Sequence, residues 1–181
     1  MTAPEFVQLK AFARIDGALL ALLLAICFAC YVAGLTSVTY GLMSMLTLLV
    51  TPIFVGIRLK RFRDESLDGV ISFLRGWAYV AFMFFYGALL FSLLLYAYLA
   101  YMDHGYLLMA LTDILSSAEN AEAIKQLGMT EQVNESLHML GAMSPIDFSL
   151  NMLTSTMMAG IVLGLPLAAI MRKGGNSQKQ Q

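Results

Sequence analysis

The stretch IDGALLALLLAICFACYVAGL, residues 15–35, decides the fold. Its only charged side chain is Asp16, at one edge. Wound as a helix it measures about 31 Å, enough to cross a hydrocarbon core of about 30 Å. Three further apolar segments follow, at about 40–57, 77–101 and 148–171. In lipid every backbone amide needs a partner within its own element, so segments of this length are read as transmembrane helices. Composition agrees: 59% of residues are hydrophobic and 13% charged, against about 25% charged in soluble domains. The expected fold is all-α, with four transmembrane helices in an up-down bundle forming a single integral membrane domain over 1–181.

Lys10 and Arg14 ahead of the first segment give it the outline of a signal peptide. Its apolar run is longer than the usual 7 to 15 residues, roughly, and leads almost directly into a second span, so retention is expected.

Charge is sorted between the spans. Lys10, Arg14, Arg58, Lys60, Arg61, Arg63, Arg75, Arg172, Lys173 and Lys179 fall on one side of the bundle. The segment from Met102 to Asp147 holds seven acids and only Lys125, a net charge of −6. Lys and Arg favour the cytoplasmic face, so both termini and the tail 172–181 are expected inside a bacterial cytoplasmic (inner) membrane, with 102–147 outside. The run from Arg58 to Arg63 is read as a topology signal that snorkels to anionic lipid, and no nucleic acid is expected as a partner.

The outer segment carries repeated helix signals. Ser116 with Glu119 reads as a capping box, and Gly128 suits a left-handed residue after a helix ending at Leu127. Thr130 is placed to cap a second short helix ending at Gly141. Ser144, Pro145 and Asp147 predict a helix start: a cap, a proline at the first position and an acid at the third. Ile124, Leu127, Val133, Leu137 and Leu140 should turn toward the membrane or the bundle top, as a folded-back lid or as a docking surface.

Small residues recur at every fourth position in the first span, at Ala13, Gly17, Ala21, Ala25, Ala29 and Ala33, and in the last, at Thr156, Gly160, Gly164 and Ala168. Such ridges let backbones approach where lipid supplies no hydrophobic drive. The expectation is that the first and last helices touch, the alternative being a homodimer or a partner's helix. Thr47, Tyr86, Asn151 and Ser155 form a candidate polar cluster, with second-helix hydroxyls partnering Tyr86.

No catalytic motif, nucleotide loop or repeat relating the halves is present, so an enzyme is not expected, nor any cofactor. Asp16 beside Arg14 is expected to pair or snorkel at the boundary. Cys27 and Cys30 make a C-x-x-C like that of four-helix disulfide oxidases, but 102–147 holds no second cysteine pair, and both are read as small hydrophobes. His104 and His138 lack ligands at metal-binding spacing, so no metal site is expected.

At the junction of the second and third spans stands RDESLDGVISF, residues 63–73. With Leu127-Gly128-Met129-Thr130-Glu131 and Ser144-Pro145, it resembles a bacterial family of small four-span membrane proteins, found mainly in Bacteroidota and known only as a domain of unknown function. The resemblance covers nearly the whole chain and names no chemistry. It brings in a lipid-linked sugar enzyme as one membrane-protein partner. Two functions are carried forward: a non-catalytic accessory or scaffold subunit, and a small carrier or lipid flippase-type transporter.

Overall fold

The computed structural model describes residues 3–172. Lys173, Lys179 and the tail beyond Arg172 lie outside the described residues. Among those described, seven helices follow one another: α1 (Ala3–Gly34), α2 (Val38–Ser66), α3 (Phe73–Tyr101), α4 (Tyr106–Ser116), α5 (Ala118–Gln126), α6 (Thr130–Ala142) and α7 (Pro145–Met171). Four of them, α1, α2, α3 and α7, are long and apolar enough to cross a membrane. The chain is an all-α, multi-pass membrane protein.

The basic side runs further in helix than the apolar segments alone predict. α1 begins some three turns before Ile15, and α2 continues through the arginines to Ser66. The reason is amphipathic packing: Leu9 and Ala13 on α1 and Leu59 and Phe62 on α2 are fully buried in one cluster. Arg14, Lys60, Arg61, Asp64 and Glu65 on these extensions are exposed, Arg58 and Arg63 turn inward, and the apolar stripe continues the core toward the basic end. Left-handed backbone at Gly69, φ 78°, helps reverse the chain from α2 into α3.

Helix starts around the cap follow the sequence unevenly. Ser144 and Asp147 form the reciprocal capping box predicted for α7, with Pro145 at its first position. Gly128 is left-handed as expected, φ 68°. Ser116 and Glu119 form no capping box, because Ser116 still belongs to α4 and α5 begins at Ala118. Thr130 is the first residue of α6 rather than its cap, and α6 runs to Ala142. α4 itself was not foreseen: the third span is expected to end at Tyr101 and helix signals are read only from Ser116 onward, whereas YLLMALTDILS forms a helix that a turn at 102–105 separates from α3. Asp103 makes that turn, its carboxylate accepting from the backbone N–H of Gly105 and of Leu107, each at 3.1 Å. Ile124, Val133, Leu137 and Leu140 are half-buried, as the amphipathic reading asks, whereas Leu127 is 72% exposed.

Helix order corrects the expected pairing. α1 and α7 share no packing seam; each packs along α3, and α2 packs along α1. Both small-residue ridges therefore dock on α3. A Cβ on Gly17 would lie 2.8 Å from the Met83 carbonyl, and one on Gly160 would lie 2.1 Å from Phe84. Gly164 faces Trp77 and Val80, and Ala168 sits against Gly76. α3 is bulky where α7 is small and small where α7 carries a methyl, and that complementarity selects the neighbour. Ala21 is buried and Ala25 half-buried against the cluster of Phe91 and Leu95, Ala33 is half-buried, and Ala29 is exposed.

Candidate functional site

α2 and α7 meet only near the basic end, where Gly56 faces Leu167 and Met171, and Arg63 Nη1 donates to the Met171 carbonyl at 3.3 Å. Toward the acidic end they diverge and leave a cavity of about 970 Å³. Leu24, Cys27 and Phe28 of α1 and Phe84 and Phe91 of α3 form its back wall. Leu48 and Thr51 on α2 and Thr156, Val162 and Leu163 on α7 form its flanks. Leu107 and Leu111 of α4 and Leu140 of α6 close the acidic end, so the cap is part of the cavity wall. Leu48 and Val162 line it and are also 59% and 62% exposed, so it communicates with the lipid-facing surface.

The lining is apolar, and its few polar groups are largely spent locally. Ser44 Oγ donates to the Cys27 carbonyl at 3.1 Å, which also ties α1 to α2. Thr51 Oγ1 donates to Thr47 O at 3.0 Å, and Ser155 Oγ to Asn151 Oδ1 at 3.4 Å. No set of donors and acceptors converges on the space, which is what a polar solute would require. Cys27 and Cys30 are free thiols.

Below the cavity lies a packed layer of Leu20, Val55, Val80, Met83 and Phe84, all buried. Beneath that layer is a second polar feature. Asp16 is 2% exposed and joins three helices: Arg58 of α2 donates to its Oδ1 from Nε at 2.7 Å and pairs with the same oxygen through Nη2, and the Tyr79 hydroxyl of α3 donates to Oδ2. Phe62 stacks on Tyr79 with centroids 4.4 Å apart and planes 6° from parallel. The expected pairing with Arg14 is not the one formed; Arg14 lies over the Tyr86 ring at 5.9 Å. The sequence did hold a signal for the true partner. Asp16 and Arg58 are nearly equidistant from the turn at 35–37, so an antiparallel α1–α2 pair brings them to one depth.

The candidate polar cluster does not assemble. Thr47 is half-buried on α2 and donates to Met43 O at 2.8 Å in its own helix. Tyr86 is on the α1 side of α3, beside Gly17, away from the second-helix hydroxyls. Asn151 and Ser155 are bonded to each other on the outer face of α7. Helical phase separates them: residues alike in depth need not share a face. Among the described residues no three of His, Cys, Asp and Glu converge to hold a metal ion. The Asp103 carboxylate is engaged by the α4 turn, and His104 Nδ1 lies 3.0 Å from Met102 O.

Residues 16–173 match the family described as protein of unknown function (DUF4199), and the chain belongs to that family. No curated protein and no solved structure matches it.

Proposed function

We propose that this membrane protein holds a hydrocarbon chain of a membrane lipid in the cavity between α2 and α7, and does so as a non-catalytic accessory subunit of a membrane partner. The cavity is the observation that carries the reading. Its volume lies in the range of small-molecule sites, roughly 300 to 1,000 Å³. Apolar walls of this kind do not hold water, and the occupants within reach of a gap that faces the bilayer are lipid chains. Glycines 160 and 164, attractive for docking another helix, are used on α3. A partner is therefore assigned to the acidic cap, where α5 and α6 have no buried residue. A carrier or flippase must additionally part the layer of Leu20, Val55, Val80, Met83 and Phe84 that closes the cavity toward the basic end.

Filling the space tests the reading. Thr156→Phe combined with Ala159→Trp places bulk where both side chains line the cavity. Native mass spectrometry of protein released from nanodiscs is expected to show wild type carrying a lipid and the variant carrying none. The melting temperature should be unchanged or raised, since filling a void contributes about 0.5–2 kcal/mol. Equal lipid retention by both proteins would exclude the cavity as the site.

We place the basic end in the cytoplasm and the acidic cap outside a bacterial inner membrane, on the distribution of Lys and Arg. In a Cys27→Ala, Cys30→Ala background, Glu122→Cys on the cap should react with an impermeant maleimide on intact spheroplasts. Glu65→Cys at the end of α2 should react only after lysis. The reverse pattern would invert the orientation.

A further inference from the structure

Resting on the cavity as a lipid-chain site, we propose that its occupant carries an uncharged, hydroxyl-bearing headgroup, held by a polar stripe on α7 made of Asp147, Asn151, Thr154 and Ser155. Offsets of four, seven and eight residues put these four side chains on one helical face. All four are exposed, and with Leu150 they line a shallow recess of about 340 Å³. Ser155 also lines the apolar cavity, so the two spaces share a wall. A lipid tail in the one has its head within reach of the other.

Depth fits a headgroup. A hydrocarbon core takes about 20 helical residues, which counted back from Met171 reaches Met152. Asp147 and Asn151 then lie in the interfacial layer, and Thr154 and Ser155 just inside the hydrocarbon. Polar groups on an outward face at that level need partners that neighbouring helices do not supply. The Asn151 carboxamide oxygen accepts from Ser155, and its amide N–H groups donate to no protein acceptor among the described residues. Thr154 spends its proton on the Leu150 carbonyl at 3.0 Å and retains its lone pairs. One Asp147 oxygen, Oδ2, serves the Ser144 cap and leaves Oδ1 open.

What the stripe offers is mostly acceptors with one donor pair. That inventory suits hydroxyl groups, which both donate and accept. It does not suit a phosphate, because Asp147 repels an anion and the only Lys or Arg between Met102 and Asp147 is Lys125.

The test uses full-length protein in phosphatidylcholine nanodiscs doped equally with glucosyl-diacylglycerol and phosphatidic acid of the same acyl chains, with retained lipids weighed by native mass spectrometry. Wild type is expected to retain the glucosyl lipid about tenfold over phosphatidic acid, the factor that two ordinary hydrogen bonds supply. Asn151→Leu with Thr154→Val should bring that ratio close to one while total retention persists. Both substitutions face outward and replace polar by apolar groups, so the fold is expected to survive. Equal retention of the two lipids by wild type, or a ratio unmoved by the double variant, overturns the headgroup assignment and leaves the tail site standing. Retention that survives Thr156→Phe/Ala159→Trp instead removes the tail site. A homodimer that dissociates on Asn151→Leu would assign the stripe to a second copy and overturn the proposal.

Discussion

Asp16→Leu is expected to destabilise the protein by about 3–5 kcal/mol, the cost of leaving a desolvated charge without its partner. The carboxylate is 2% exposed and accepts from Arg58 and Tyr79, so its removal strands a guanidinium whose side chain is only 17% exposed. That guanidinium reaches water over only a small part of its surface, so it recovers little of its lost partner from solvent. Adding Arg58→Met to Asp16→Leu should recover most of the loss, because two apolar side chains of similar length fill the space without a stranded charge. Tyr79→Phe should cost less, about 1–2 kcal/mol, since the carboxylate keeps its arginine. Thermal unfolding in mild detergent reads all three. A single Asp16→Leu change of less than about 1 kcal/mol would show the pair to be solvated.

The other large effect belongs to Gly160. A Cβ there would stand 2.1 Å from Phe84 Cγ and 2.3 Å from Phe84 Cβ, and the second of these cannot move without the backbone of α3. Gly160→Leu is therefore expected to cost 3 kcal/mol or more, at or beyond the upper end of ordinary overpacking at roughly 1–3 kcal/mol. Even Gly160→Ala should be clearly destabilising, and shortening Phe84 to Leu should not restore it because the Cβ remains. Gly164→Ala meets a Trp77 ring atom at 3.1 Å and should cost less; Gly56→Ala, with nothing nearer than 3.6 Å, should be near neutral. The ranking 160, 164, 56 in melting temperature is the check. A Gly160→Ala protein as stable as wild type would mean that α3 and α7 are not seated as closely as described.

Much of the architecture is legible in the residues because it depends on properties that each segment carries by itself. Length and apolarity of the segment from Ile15 to Leu35 mark a span whatever lies beside it. Ser144, Pro145 and Asp147 start α7 through bonds within four residues of one another. α4 was missed because its start depends on the turn before it, where the Asp103 carboxylate accepts from the Gly105 and Leu107 amides and His104 and Gly105 take left-handed backbone. The candidate site was less legible still. Tyr86, Thr47 and Asn151 look like one cluster when ranked by polarity and depth, and they face three different ways.

The residues alone determined that this is a four-span helical membrane protein with charge sorted by end, since hydrophobic length, local capping and net charge are sums over neighbours in the chain. Tertiary structure decided which helices meet. Small-residue ridges on α1 and α7 state that something can approach closely, but lipid gives no general drive that names the partner. That choice fell to α3, whose Phe84 covers Gly160 and whose Gly76 receives Ala168. With α3 between them, α1 and α7 are held apart. α2 and α7 then touch only near Gly56, and the apolar cavity between them exists only in the folded bundle.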